Sequence, residues 1–236
     1  RFKEKFCLFS KRNYVDGTIW FHGASVGEIL SIIPIIKRFE KDSKIKKILI
    51  TSSTTSSSQI LSKYKFKKTI HQFYPFDLNI FTKLFIHYWK PRLAIFVDSE
   101  IWPNMYNNLY KRKIPLILLN ARITKKSFNR WKYFPNFSKN IFEKISVALP
   151  QNKESKKYLK LLGTKNIKIA GNIKFYGSKL SNHYSSSLKK KFLKKNILCA
   201  ASTHKNEELF IGKAHKELKN NIKNLLTIII PRHINR

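Results

Sequence analysis

Thr18-Ile19-Trp20-Phe21-His22 runs directly into Gly23-Ala24-Ser25-Val26-Gly27-Glu28, and Ile29, Ile32, Ile33, Ile36 and Phe39 follow at i, i+3, i+4 and i+7 spacing. The first run is short and continuously apolar, as expected of a strand buried on both faces. The last set falls on one side of a 3.6-residue period and predicts an amphipathic helix. The same alternation continues outward. Lys47-Ile48-Leu49-Ile50, Leu93-Ala94-Ile95-Phe96-Val97, Ile114-Pro115-Leu116-Ile117-Leu118-Leu119 and Val147-Ala148-Leu149 read as further buried strands. Ser155 to Leu162 is a helical pattern closed by Gly163, in the place of a left-handed C-cap. Strand–helix alternation of this kind implies a parallel sheet covered on both faces, of the doubly wound α/β type.

Gly177 to Lys190 is polar, Ser-rich and without apolar periodicity, and reads as a linker. Beyond it, Asn196–Ala200, Glu207–Leu218 and Leu225–Ile230 read as strand, helix and strand, the opening of a second, Rossmann-like domain. This predicts an N-terminal α/β domain at 1–177, a linker at 178–190 and an incomplete C-terminal domain at 191–236. The chain begins at Arg1, not Met, and stops just past an apolar run, so both ends read as cut. An upstream leader or anchor is compatible with that expectation. Of the 236 residues, 42% are hydrophobic and 14% aromatic, enough for a packed core and too many for global disorder. No stretch approaches the roughly 20 apolar residues of a spanning helix. Two cysteines far apart, Cys7 and Cys199, exclude a disulfide framework and a metal knuckle.

Lys and Arg number 48 against 13 Asp and Glu, a formal charge of +35. Only nine of the 48 are arginine, the residue whose planar fork suits bidentate phosphate contacts. The lysine excess travels with Ile, Asn and Phe, which share A/T-rich codons, so base-composition drift accounts for part of it. The remainder describes a surface attracted to something anionic: phospholipid, a phosphorylated acceptor or RNA. Charge alone does not choose among them.

In a doubly wound sheet, ligands bind where strands end at their carboxyl termini. Glu28 is expected in the first turn of its helix, where the dipole would hold a carboxylate ionised and able to act as base toward a sugar hydroxyl. The plainer alternative is a glutamate that only complements the dipole. Asp98-Ser99-Glu100-Ile101-Trp102-Pro103-Asn104 places two carboxylates after another strand and before a Pro-started helix; here the plainer alternative is capping by Asp98 or Ser99. Asn120-Ala121-Arg122-Ile123-Thr124-Lys125-Lys126-Ser127-Phe128 offers an amide, a guanidinium and hydroxyls suited to an anionic sugar or phosphate, or else a solvated loop. Ser52 to Ser58 lacks the Gly-Lys-Ser/Thr of a P-loop and reads as a helix cap. The histidines show no metal-ligand spacing, and no metal is expected. His87, beside Tyr88 and Trp89, is expected to be packed at a helix end. Neither a Gly-x-Ser-x-Gly elbow nor a dinucleotide fingerprint occurs.

Taken in order, these motifs resemble those of 3-deoxy-D-manno-octulosonic acid (Kdo) transferases. The likeness runs through His22–Glu28, Tyr74-Pro75-Phe76-Asp77, Glu100–Asn104 and Asn120-Ala121-Arg122. It continues in Gln151-Asn152, Gly171-Asn172-Ile173-Lys174-Phe175, Ala201-Ser202-Thr203-His204 and Pro231-Arg232-His233. The resemblance implies a two-domain GT-B glycosyltransferase that moves Kdo from CMP-Kdo onto lipid A precursor with inversion, at the cytoplasmic face of the inner membrane. It implies Glu28 as general base, and Asp98 and Lys174 as stabilisers of the transition state. Ser25, Gly27, Glu100, Asn120 and Arg122 would contact substrate, and Pro231 and Arg232 the CMP group. Asp98 departs from the family, which usually has Glu there, and Tyr176 stands where Asp is common. The family's later Gly-rich and Asn/Glu segments do not occur in these 236 residues, so the expectation is an acceptor half that is inactive by itself. Arg1–Phe9 and the 125–134 stretch, mixing cations with apolar groups, are expected to face an anionic membrane. Two alternatives remain at this point: a basic nucleic-acid-binding protein and a non-catalytic lipid-surface derivative of the transferase. The first calls for arginine and aromatic clustering on one strand face, which the sequence lacks, so no nucleic-acid partner is expected.

Overall fold

The computed structural model describes residues 2–7, 17–174 and 192–232. The chain divides into two compact units, Arg1–Leu180 and Ser181–Arg236. The division falls within 178–190, the stretch read as a linker, which lies outside the described residues.

The first unit opens with a short 3-10 helix, Phe2–Phe6, and then alternates strand and helix. The strands are β1 Thr18–His22, β2 Ile48–Ser52, β3 Thr69–Phe73, β4 Pro91–Val97, β5 Leu116–Ala121 and β6 Val147–Pro150. The helices are α1 Val26–Lys41, α2 Thr55–Ser62, α3 Asn79–Trp89, α4 Pro103–Lys111, α5 Lys125–Lys132, α6 Pro135–Phe142 and α7 Lys153–Leu161. The strands form one parallel sheet in the order β3-β2-β1-β4-β5-β6. The strand order therefore reverses between β1 and β4, where the connections on either side diverge and leave a crevice beyond the strands' carboxyl ends. Both motifs singled out for chemistry, the one after His22 and the one after Val97, open on that crevice.

Strand alternation explains why these runs are apolar throughout. Trp20, Leu49, Ala94, Phe96 and Leu118 face one layer with residues of α3, α4, α6 and α7. Ile19, Phe21, Ile48, Ile50, Ile95 and Val97 face the other with Ile29, Ile32, Ile33 and Ile36 of α1. Every residue of β1 and of β2 is buried. Burying a Leu- or Ile-sized side chain contributes about 1.5–3 kcal/mol, so the two layers supply most of the driving force. Four elements were not separately anticipated: β3, α3, α5 and α6. The polar edge strand β3 carries Thr69, His71 and Gln72 and lacks a clean apolar run. His87 is in the last turn of α3 as expected, but it is exposed and not packed, because Phe85, Ile86 and Trp89 take the inward face. Thr54 caps α2, its hydroxyl accepting from Ser57 N, as read from the serine run.

The second unit contains β7 Asn196–Thr203, α8 Glu207–Asn221 and β8 Leu225–Pro231, with β7 and β8 paired in parallel. This is the β-α-β order expected from the sequence. Among the described residues of this unit, Leu209, Phe210 and Ile230 are well exposed.

Candidate active site

The turn from β1 into α1 is fixed by reciprocal capping. Ser25, in extended backbone geometry, is the N-cap of α1, and its hydroxyl accepts from Glu28 N. Glu28 reaches back: its Oε2 accepts from Ala24 N at 2.7 Å and its Oε1 from Ser25 Oγ at 2.8 Å. This is a capping-box arrangement built from residues three and four apart. Gly23 allows it, since a Cβ there would stand 3.1 Å from the Glu28 Cβ. A Cβ at Gly27 would meet nothing within 4 Å, so this first turn faces open space. Burial pushes the Glu28 carboxyl above its ordinary pKa. The Ser25 and Ala24 donors pull it back, while the charges of Glu100 and Asp98 push it up further. Burial and the two neighbouring carboxylates thus act against the helix dipole that was expected to hold Glu28 ionised.

After β4 the chain turns through Asp98, a buried residue with φ +64°, a region that Asp enters more readily than most side chains. Asp98 N donates to Leu119 O at 2.9 Å, and Asp98 O accepts from Arg122 N at 3.2 Å. Its Oδ2 accepts from Lys174 Nζ at 2.7 Å. Ser99 Oγ donates to Arg122 O, tying the loops after β4 and β5 together. Capping of α4 by Asp98 or Ser99 does not occur. Asp77, from the loop after β3, does that work through Asn104 N and Met105 N at 3.0 and 2.9 Å. Neither carboxylate of the Asp98–Glu100 stretch is therefore spent on capping α4.

Glu100 Oε2 accepts from Trp102 Nε1 at 2.8 Å and lies 3.1 Å from His22 Nε2. Its carbonyl accepts from the Tyr106 hydroxyl. Asn120, also at positive φ (+54°), is fully buried; its Oδ1 accepts from Ile173 N at 3.1 Å, and its Nδ2 is buried without a partner. The side chain thus supports the backbone that carries Lys174, and is shut away from solvent. Arg122 is exposed beside it.

The structure brings together Glu28, Asp98, Glu100 and Lys174, with Ser25 and Gly27 on the same turn as Glu28. Pro231 and Arg232 belong to the second unit, at the end of β8, where Arg232 N donates to Thr203 O. Phe175, Tyr176 and His233 lie outside the described residues. Sequence reasoning missed His22 as a site residue and Asp77 as a support for the neighbouring helix. The only local signal was a histidine standing at the end of an otherwise apolar strand. Among the described residues, no group of three His, Cys, Asp or Glu is arranged to hold a metal, and no helix is long and apolar enough to cross a membrane.

Residues 1–176 match the family model described as 3-deoxy-D-manno-octulosonic-acid transferase (kdotransferase). The chain belongs to this family. Among Kdo transferases, that of Rickettsia bellii is 37% identical over 100% of this chain and 57% of its own length. The enzyme of Haemophilus influenzae is 30% identical over 92% of this chain and 52% of its own. The probable mitochondrial Kdo transferase of Arabidopsis thaliana is 31% identical over 99% and 54%. The chain thus spans little more than half the length of these relatives. Among solved structures, UDP-GlcNAc 2-epimerase of Neisseria meningitidis, bound to UDP-GlcNAc, superposes with a TM-score of 0.64 at 17% identity, covering 92% of this chain and 66% of that one. A UDP-N-acetylglucosamine 2-epimerase described as putative, from Listeria monocytogenes, gives 0.61 at 15% identity, covering 94% and 64%. At such identities the likeness establishes fold alone. The chain has an α/β fold of the GT-B type.

Proposed function

We propose that this chain carries the acceptor-side catalytic centre of an enzyme that transfers Kdo from CMP-Kdo to the lipid A precursor with inversion. The observation that supports this most is the gathering of Glu28, Asp98 and Glu100 at the point where the strand order reverses, with Lys174 bound to Asp98. Glu28 is the general base. An acceptor hydroxyl displaces the exposed Ser25 Oγ from Glu28 Oε1 and gives its proton to that oxygen. The acceptor oxygen then bonds to the anomeric carbon, and the bond from that carbon to the CMP phosphate breaks, with the electron pair leaving on CMP. A carboxyl whose proton affinity is raised by burial and by neighbouring charge is a better base once ionised. Asp98 and Lys174 flank the developing charge separation, a fixed pair that needs no reorganisation during reaction. Gly27 leaves room for the acceptor, and the exposed Arg122 offers a fork to its phosphate. Asn120 acts one step back, through Ile173 and Lys174. CMP is bound through the second unit, with Pro231 and Arg232 part of that site, and no metal takes part.

The acceptor is a lipid, which gives the cationic, aromatic surface a role at the cytoplasmic face of the inner membrane. Tyr133, Phe134 and Phe137 are exposed beside Lys126, Arg130 and Lys132. They adjoin a groove of about 780 Å³ whose lining includes Lys125, Lys139, Lys157 and Lys160. Such a surface inserts rings at the headgroup level while its lysines meet anionic lipid, each contributing on the order of 1 kcal/mol. The N-terminal segment contributes less than expected. Phe6 turns inward onto Phe76 and Phe81 at 5.1 and 5.6 Å between ring centroids, and Arg1, Leu8 and Phe9 lie outside the described residues. Vesicle co-sedimentation should favour anionic over neutral lipid and weaken with salt; equal binding to both would reject the membrane role.

Glu28→Gln in the full-length protein, assayed with CMP-Kdo and lipid A precursor, tests the base. Loss of a general base lowers turnover by roughly 10²–10⁴-fold, with binding of the acceptor little changed. A variant that melts normally and keeps most of its turnover would remove Glu28 from that role.

A further inference from the structure

His22 ends β1 with its ring inside an aromatic box and none of its surface exposed. It stacks on Tyr74 with ring centroids 4.0 Å apart, and the edges of Phe96 and Trp102 close around it. Phenylalanine would fill such a box without polar atoms to satisfy. Both imidazole nitrogens are instead engaged, one with a strand and the other with a loop. Nδ1 lies 2.9 Å from Thr51 Oγ1 and 3.2 Å from Thr51 O, on β2. Nε2 lies 3.1 Å from Glu100 Oε2, in the loop after β4.

The donor directions follow from the partners. An ionised Glu100 carries no proton, so Nε2–H must donate to it. Trp20 Nε1 donates to Thr51 Oγ1 at 2.9 Å, which leaves the threonine proton to be given onward. His22 Nδ1 at 2.9 Å is a closer acceptor for it than Phe21 O at 3.4 Å. The chain Trp20 to Thr51 to His22 to Glu100 then runs in one direction with the proton on Nε2; a second proton on Nδ1, facing the Thr51 carbonyl at 3.2 Å, would leave that Nε2–H donor in place. At its end, Glu100 Oε2 takes two donors, His22 and Trp102, both against the buried side of the carboxylate. Among the described residues Oε1 has no hydrogen-bond partner, and the Glu100 side chain is 15% exposed. One oxygen is held by the core, while the partly exposed carboxylate lies close enough to Glu28 for their charges to interact.

We propose that His22 is a positioning residue: it fixes Glu100 through Oε2 so that Oε1 accepts a hydroxyl of the incoming sugar acceptor beside Glu28. This rests on the transferase reading of the site. His22 itself touches no reacting atom. Its work is to keep the carboxylate from swinging among rotamers, with Nε2–H as the donor and Thr51 holding the other side of the ring.

Three variants of the full-length protein test this. His22→Phe keeps the ring and removes the Nε2–H donor, and kcat/KM for the lipid A precursor should fall by about 10–100-fold, as when an outer hydrogen-bond partner of a functional group is removed. His22→Gln places an amide N–H near the same position and should recover most of that loss. In the double variant His22→Phe/Glu100→Gln, activity should equal that of Glu100→Gln alone, because His22 acts only through Glu100. Additive losses, or a His22→Phe protein that loses melting temperature but keeps its acceptor kinetics, would overturn the proposal. A second readout does not depend on activity. In ¹⁵N-labelled protein, the His22 imidazole should carry its proton on Nε2 with a hydrogen-bonded shift that moves in Glu100→Gln. A proton on Nδ1 alone, or no response to Glu100→Gln, overturns the proposal even if Glu28 is confirmed as base. Wild-type protein without transfer activity but with the Nε2–H signature would instead contradict the transferase reading and leave the His22–Glu100 link standing.

Discussion

Glu28 and Asp98 stand on the two sides of the same crevice, yet they are held in opposite ways. Glu28 is fixed by its own neighbours: every partner of its carboxylate lies within four residues, and the helix α1 that carries it is an ordinary amphipathic one. Asp98 is fixed by the fold. Its backbone is in the left-handed region, its N–H goes to β5, its carbonyl to Arg122, and its carboxylate to a lysine 76 positions later. One side is a local motif that carries its geometry with it. The other exists only when β4, β5 and the 172–174 segment have met. Under the proposed mechanism, proton transfer falls to the local side and charge stabilisation to the assembled side.

The sharpest way to break this comparison is at its longest link. Lys174→Met removes the cation from Asp98 and should lower turnover of the full-length enzyme by about 10²–10³-fold, the range for losing one preorganised stabilising donor. Unchanged turnover would show that the Asp98–Lys174 pair is only structural. Next comes Asn120→Gly, which retains the positive φ but leaves Ile173 N–H buried without its acceptor. A stability loss of about 1–3 kcal/mol in denaturant unfolding is expected. Faster acylation of Lys174 by an amine reagent, read by peptide mass, should accompany it. If Lys174 reacts at the wild-type rate, Asn120 does not hold that segment. On the local side, Ser25→Ala removes the N-cap and should cost about 0.5–2 kcal/mol, with the lysine's reactivity untouched. A change in Lys174 reactivity in that variant would mean that the two sides are mechanically coupled.

The smallest effect is on stability against pH. The folded-state pKa of Glu28 is raised, so between the ordinary carboxylate value and the raised one the folded chain binds more protons than the unfolded chain. Stability from this group is therefore greatest at low pH and declines as pH rises through that window. Glu28→Gln should flatten the decline, read as the difference between the two unfolding curves across the acid range. A steeper fall for the Gln variant would contradict the direction of the shift.

How legible each side was in the sequence follows the same divide. The β1–α1 stretch could be read from Thr18 to Phe39 because strand period, turn residues and helix period are all local signals. The other strands of both units, β3 excepted, and the start of α4 at Pro103 were readable for the same reason. The opposite held for Asp98, where the plainer reading of a helix cap failed because the cap came from Asp77, 26 positions before Pro103. His22 sat unread inside a quoted motif, since a histidine finishing an apolar strand reveals nothing until Thr51 and Glu100 are placed beside it. The roles of Asp98 and Lys174 came from family likeness alone, and no spacing could have paired them. Asn120 was legible as polar and near the site, but its burial was not, because only the fold shows Ile173 lying over it.

The account's central claim is that the assembled side tunes the local one: burial raises the proton affinity of Glu28, and the charges of Glu100 and Asp98 raise it further. The direct measurement is the acidic limb of the pH dependence of kcat/KM for full-length protein, compared among wild type, Glu100→Gln and Asp98→Asn. Under the proposed mechanism the base must be ionised to act, so activity rises with pH through the Glu28 pKa, which is raised from its ordinary value in the wild type. Removing either neighbouring charge should move that limb to lower pH, with Glu100→Gln moving it further than Asp98→Asn, even where the overall rate has fallen. An acidic limb that stays in place in both variants would contradict the claim.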